Sequence, residues 1–206
     1  EIPCQMYLYK AGTGNDFMND IERIDGEEIL INDYVYNLPT VYVKDVERKF
    51  INGIGFGIDG YCCEVADEIK KKTPNKKINY TSIAIKGLLF HFKSMKATII
   101  VDGKEYIHEH VWIAPTMKGR FYGGGMMVAP NQKRTDSEVS VVIYKTKSRL
   151  KALMNFPSIF KGEHIKKEKI VSVYKGKEII VKFDKPCALQ IDGETVLDVT
   201  EYKVVA

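Results

Sequence analysis

Three short stretches of this 206-residue chain carry groups suited to moving a phosphoryl group. Near the amino end, Gly12-Thr13-Gly14-Asn15-Asp16 is a glycine-rich turn running into Asn-Asp, which leaves backbone N–H groups free to face phosphate oxygens. Near the carboxyl end, Asp192-Gly193-Glu194 sets two carboxylates at a tight turn, which suits holding Mg²⁺ or accepting a hydroxyl proton. Between them, Gly123-Gly124-Gly125 precedes Val128-Ala129-Pro130. Each glycine costs roughly 0.5–1 kcal/mol in a strand-rich region, so close approach of backbone to a substrate or a second domain would explain the run. Every stretch also has a plainer reading. The first is a turn with an N-capping Asn or Asp, the second a hairpin turn like Asp25-Gly26 and Asp102-Gly103, the third a loop between strands.

The elements that must position these groups are mostly strands. Residues 6–10 alternate apolar and polar, and Asn15 or Asp16 can cap a short helix through Asp20. Residues 40–44 and 49–54 read as a hairpin reversing at 45–47, with Leu38-Pro39 before it. Two helices follow. Residues 58–72 place Tyr61, Val65, Ala66 and Ile69 on one face and end in three lysines that offset the macrodipole. Residues 80–92, capped by Asn79 or Thr81, are apolar on more than one face, as a helix packed on the sandwich would be. Strands are expected at 97–101, 105–114, 139–145, 169–174, 178–183, 187–191 and 199–204. A short helix at 148–156 stops at Pro157. The fold class is mainly β (α+β), a sandwich with two or three helices.

Composition narrows the function. Hydrophobic residues make up 45% and charged residues 28%, ordinary for a globular protein, and a net charge of +4 is too mild for a nucleic-acid binder. No apolar run approaches the roughly 18 residues needed to span a bilayer. Cys4, Cys62, Cys63 and Cys187 have no metal-ligand spacing, and adjacent Cys62-Cys63 is a poor disulfide pair, so a reduced, cytoplasmic setting is expected. His91, His108, His110 and His164 show no ligand spacing, and Trp112 reads as core.

In this order, the motifs resemble the diacylglycerol kinase catalytic family, which includes sphingosine and ceramide kinases. The resemblance rests on the Gly-Thr-Gly-Asn-Asp-Phe run from Gly12, the segment from Phe50 to Asp59, and the Gly123-Gly124-Gly125-Met126 turn before Ala129-Pro130. Gly162-Glu163-His164 and Asp192-Gly193-Glu194 complete it. It implies an ATP- and Mg²⁺-dependent lipid kinase. Thr13 would donate to phosphate, with Gly12 and Gly14 as close-approach backbone and Asn15 and Asp16 shaping the loop and a water-bridged Mg²⁺. Glu194 would deprotonate or orient the lipid hydroxyl, Asp192 would help position it, and Gly123, Gly124 and Gly125 would approach substrate. Residues 80–92 would line an acyl slot, and Lys70, Lys71, Lys72, Lys76 and Lys77 offer charge to anionic headgroups.

The family's Gly-Gly-Asp-Gly-Thr nucleotide loop does not occur here. The resemblance therefore implies a remnant of an N-terminal α/β nucleotide-binding domain over 1–38 and a C-terminal sandwich over 39–206, inactive as a fragment. Asn131–Ser137 holds one acid, Asp136, where many bacterial members carry Asp-Asp-Gly, so no structural metal is expected there. The acid on the family's strand before Phe50 is replaced near Thr40, Tyr42 or Lys44. The expected partners are a lipid substrate at the membrane surface, the missing domain and a second copy of the chain. Two other readings stand beside the kinase: a non-catalytic lipid-binding module, and a kinase of a small soluble alcohol.

Overall fold

The computed structural model describes residues 4–9, 15–21, 28–73 and 77–206. Gly12, Thr13, Gly14, the Asp25-Gly26 turn and Lys76 lie outside the described residues. The amino end contributes β1 (Tyr7–Leu8), α1 (Asp16–Asp20), β2 (Ile29–Leu30) and α2 (Asn32–Val35), with β1 and β2 antiparallel. Phe17, Ile29 and Ile31 bury their side chains in a small cluster separate from the main core.

Past Pro39, β3 (Thr40–Val43) and β4 (Val46–Lys49) form a hairpin across Lys44-Asp45. The returning strand is thus 46–49, not 49–54. Gly53–Phe56 is instead β5, buried throughout and paired with strands far away in sequence, where an outer hairpin strand would leave Ile54 and Phe56 in water. Next, α3 (Ile58–Lys72) spans the expected residues and sets Ile58, Cys62 and Ala66 on the core. Gly60 permits that approach, since a Cβ there would stand 1.8 Å from the Ala188 carbonyl oxygen. α4 (Tyr80–Lys86) starts at Asn79, whose side-chain oxygen accepts the Ser82 N–H at 2.9 Å, and continues as a π-helical turn over Gly87–His91.

Alternation in β6 (Met95–Val101) and β7 (Lys104–Ile113) gives the hairpin expected at Asp102-Gly103. Three two-residue strands follow, β8 (Thr116–Met117), β9 (Phe121–Tyr122) and β10 (Met126–Met127), and then β11 (Val139–Lys145). Ser148 caps α5 (Arg149–Asn155), and Pro157 falls in a 3-10 turn over Phe156–Ile159. A second 3-10 turn, Glu163–Lys166, precedes β12 (Val171–Gly176), β13 (Glu178–Ile191) and β14 (Glu194–Val205). Bulges between Lys182 and Leu189 let β13 run on where two strands were expected.

Ten strands make one antiparallel sheet wrapped around the core. The long β13 pairs along its length with β14, while residues 179–183 of its other edge meet β6 and residues 189–191 meet β5. Because β5 also reaches β6 through β8, β11 and β7, the strand path closes on itself. Phe56 stacks on Phe183 inside, ring centroids 4.2 Å apart, and Trp112 is buried with its indole N–H donated to the Thr146 carbonyl at 2.8 Å. This is the mainly β fold, with helices laid on it, that the sequence implies.

Candidate active site

A cavity of about 310 Å³ opens where α1, α3, α4, the β9–β10 turn and the β13–β14 turn meet. Three carboxylates line it, those of Asp16, Asp59 and Asp192, and much of the remaining wall is apolar, from Ile58, Tyr80, Ala84, Met126, Phe156 and Phe160. A site with a few convergent acids and an apolar wall suits a molecule with a hydroxylated head and a hydrocarbon body.

Asp16 reaches this cavity from the amino end. Asn15 precedes α1 in a left-handed conformation, φ 49°, and makes no side-chain cap, because a cap needs extended backbone at that position. The Asp16 carboxylate turns away from its own helix and accepts the N–H groups of Gly124 at 2.9 Å and Gly125 at 2.6 Å. Those glycines belong to the turn joining β9 to β10, where Gly123, Gly124 and Gly125 all have positive φ, at 64°, 83° and 105°. Three successive left-handed residues explain the run of glycine. Burial pushes the Asp16 carboxyl up, while the two glycine N–H groups and the Arg134 charge pull it back down.

Asp192 and Glu194 point to different places. Asp192-Gly193 is the two-residue turn between β13 and β14, with Ile191 opposite Glu194. The Asp192 side chain folds back and accepts three N–H groups, from Ile51 at 2.6 Å, Asn52 at 2.9 Å and Gly53 at 3.0 Å. Glu194 pairs with Arg48 on the exposed side and does not line the cavity. The turn therefore separates the two carboxylates.

Asp59 is a cavity residue that the sequence does not mark beyond its place in the segment after Phe50. The usable signal is an acid in the first turn of an otherwise amphipathic helix, where the macrodipole favours its charge. Burial outweighs that attraction and raises Asp59 to about 7, although its hydrogen bond from the Tyr122 hydroxyl acts the other way. Tyr122 is pushed up in turn by burial and by the Asp59 charge. The pair gives the cavity a proton-holding acid that an apolar neighbourhood maintains. The thiols of Cys62 and Cys63, also in the wall, are raised by burial, Cys63 to about 12, and stay protonated.

A buried ionic cluster ties α1 to the sandwich. Asp20 takes the Arg120 Nε at 2.7 Å and forms an ion pair with the Arg134 Nε at 2.5 Å. Arg134 also donates to the Ile51 carbonyl at 2.6 Å and lies 4.2 Å over the Phe17 ring. Ile51 is thus held by Arg134 at its carbonyl and by Asp192 at its N–H.

For magnesium, the donor set fits a shared site. Asp16 uses two of about four lone-pair positions on the glycine N–H groups, leaving others for an ion or its water. Among the described residues, no group of three His, Cys, Asp or Glu side chains could cage a metal. The arrangement suits an ion carried on nucleotide phosphates and touched by one protein carboxylate. Asp136, the lone acid of its segment, pairs with Lys175, and its carbonyl accepts the Lys118 ammonium at 2.7 Å.

Regular alternation along β7 would set His108 and His110 on one face, and the structure parts them. His108 meets the Tyr174 hydroxyl at 3.1 Å and the Lys145 ammonium at 2.8 Å, partners brought by β11 and β12 from far along the chain. His110 sits at φ 57°, where the β6–β7 register shifts and breaks the alternation.

Residues 52–205 match the family model of the YegS C-terminal NAD kinase beta sandwich-like domain. A protein named "Diacylglycerol kinase" from Mycobacterium tuberculosis (strain H37Rv) is 26% identical over 183 residues, covering 85% of this chain. This chain spans 58% of that relative's length. The Bacillus subtilis protein named "Putative lipid kinase YtlR" is 24% identical, with 98% of this chain and 69% of its own covered. A solved Bacillus anthracis structure called a "putative diacylglycerol kinase" superposes with a TM-score of 0.58 at 18% identity, over 82% of this chain and 52% of that one, which shows the shared fold. No described helix is long and apolar enough to cross a membrane.

Proposed function

We propose that this chain, which belongs to the family of the YegS C-terminal NAD kinase beta sandwich-like domain, a diacylglycerol kinase-like lipid kinase family, is part of an ATP-dependent lipid kinase. The reaction moves the γ-phosphate of ATP to a hydroxyl of a lipid such as diacylglycerol. One observation carries this reading: Asp16, from the amino-terminal motif, and Asp192, from the carboxyl-terminal one, line a single cavity with an apolar wall. A kinase needs its phosphate-side and hydroxyl-side groups within reach of each other, because catalysis here is mainly positioning and charge compensation.

On the nucleotide side we assign Gly12, Thr13, Gly14 and Asn15 to the phosphates. Asp16 would hold Mg²⁺, directly or through water, and the bound ion would neutralise charge on the β- and γ-phosphates. On the acceptor side we assign Asp192 to the lipid hydroxyl. Its three N–H partners fix the carboxylate and leave about one lone-pair position for that hydroxyl. The hydroxyl oxygen bonds to the γ-phosphorus, the bond to the β-phosphate oxygen breaks, and the hydroxyl proton passes to the carboxylate as ADP leaves. Glu194, held by Arg48, supports the turn and the charge at the rim. Gly123 and Gly124, which line the cavity, and the adjoining Gly125 would form backbone beside the acceptor, and Asp59 with Tyr122 would hydrogen-bond its polar head.

The test is transfer of labelled γ-phosphate from ATP to diacylglycerol in mixed micelles by the intact protein. Asp192→Asn should reduce turnover by about 10²-fold or more. An intact protein that transfers no phosphate to diacylglycerol, ceramide or sphingosine removes the proposal. Equal activity on a water-soluble alcohol, with no gain from lipid, redirects it to a small soluble acceptor.

A further inference from the structure

The π-helical turn and α5 present apolar side chains that the core does not use. Phe90, Leu150 and Met154 are 73%, 63% and 71% exposed. Leu150 and Met154 stand four apart and so share a helix face, while only Ala152 of α5 is buried. The two elements are joined where the Arg149 guanidinium donates to the Leu88 carbonyl at 2.8 Å. Tyr80 and Phe160, at 42% and 39% exposure, also line the cavity; Tyr80 opens α4 and Phe160 follows α5 closely in the chain. Single exposed apolar residues are ordinary, but a group of them on two joined elements marks an interaction surface.

The two stretches of chain that carry these side chains hold charge of one sign. No Asp or Glu occurs from Tyr80 to Val101 or from Val139 to Gly162. Lys86, Lys147, Lys151 and Lys161 are exposed within those stretches. A second copy of the chain laid on this face would set lysine against lysine. Aromatic and aliphatic side chains carried on stretches that hold cations and no acids are what an anionic lipid surface accepts.

From this geometry we infer that the face formed by the π-helical turn and α5 docks on an anionic bilayer. Phe90, Leu150 and Met154 enter the headgroup–acyl boundary and the lysines meet the headgroups. The inference deepens the lipid-kinase reading and rests on it for its purpose: a protein docked this way takes its acceptor from the membrane instead of from solution.

Co-sedimentation of the 206-residue chain with phosphatidylcholine vesicles, with and without phosphatidylserine, tests it. Binding should appear with phosphatidylserine and fall about tenfold or more in Leu150→Asp/Met154→Asp. It should weaken about fivefold for each of Lys147→Glu and Lys151→Glu. Lys70→Glu, at the end of α3, should change it little. Both α5 positions are exposed, so thermal melts should match the parent; Leu150→Ser/Met154→Ser serves if the acidic pair does not fold. Wild-type chain that ignores anionic vesicles, or variants that bind as wild type does, overturns the inference. So does a wild-type dimer that the α5 substitutions dissolve, since it assigns the face to self-association. Binding through these residues with no phosphate transfer by the intact protein sinks the kinase reading and leaves the docking face. Phosphorylation of micellar diacylglycerol without such binding does the reverse.

Discussion

Asp16 accepts the backbone N–H of Gly125 at 2.6 Å, joining the end of the amino-terminal glycine motif to the middle glycine turn. Two of the three stretches with chemical potential are thus partners of each other, and the third, at Asp192, lines the same cavity. The Gly124 and Gly125 N–H groups are committed to a carboxylate and not to a ligand. That leaves the polar interior of the site to the acids and to whatever they bind.

Asp16→Ala should loosen that junction. Hydrogen exchange at the Gly124 and Gly125 amides should speed up by about an order of magnitude, as expected from losing charge-assisted bonds of about 1.5–3 kcal/mol at half-exposed positions. Amides in β6 and β7 should not change, and exchange that is equally fast in the parent chain would show that the bonds contribute nothing.

Asp192→Asn should cost stability as well as activity. An amide cannot accept three N–H groups with both of its polar atoms, so a loss of about 1–3 kcal/mol is expected. Glu194→Gln, at an exposed ion pair, should shift stability by less than about 1 kcal/mol. Denaturant midpoints of the two variants compare these directly, and equal midpoints would remove the special standing of Asp192.

Asp59 makes stability depend on pH. Its folded value is raised from 3.8 to about 7, so the folded chain keeps a proton that the unfolded chain has released between those values. That contribution is whole below about pH 4 and is lost as the pH rises through about 7. Asp59→Asn, which still accepts the Tyr122 hydroxyl, should gain on the order of 4 kcal/mol on the parent between pH 4 and pH 8. Parallel melting-temperature curves for the two proteins across that range would refute the assignment.

Asp20→Ala should be the most damaging of these changes. It leaves the Arg120 and Arg134 charges facing each other without their carboxylate, and breaking a buried pair from one side costs about 3–5 kcal/mol. Replacing Asp20 with Asn should recover part of the loss, because the amide oxygen still accepts from Arg120. Chemical denaturation of both variants measures the difference.

Local sequence was enough wherever local physics decides. The helix over Ile58–Lys72 followed from its apolar spacing and terminal lysines, β11 from its β-branched run, and the turn at 102–103 from Asp-Gly between alternating segments. The order of the glycine and acidic motifs likewise carried the family and the mainly β class. What the chain alone determined is therefore which segments are strands and helices, and which residue types are available for phosphoryl chemistry.

Tertiary structure decided which of them meet. Asp192 and Glu194 look equivalent in the sequence, yet pleat and turn send one into the cavity and the other to Arg48. Asp59 resembles an ordinary helix-start acid until the β9 strand brings Tyr122 against it and burial lifts its proton affinity. Both outcomes depend on strand partners far away along the chain, and on desolvation that exists only once those strands have packed. Periodicity and propensity act over a few residues, so they carry neither.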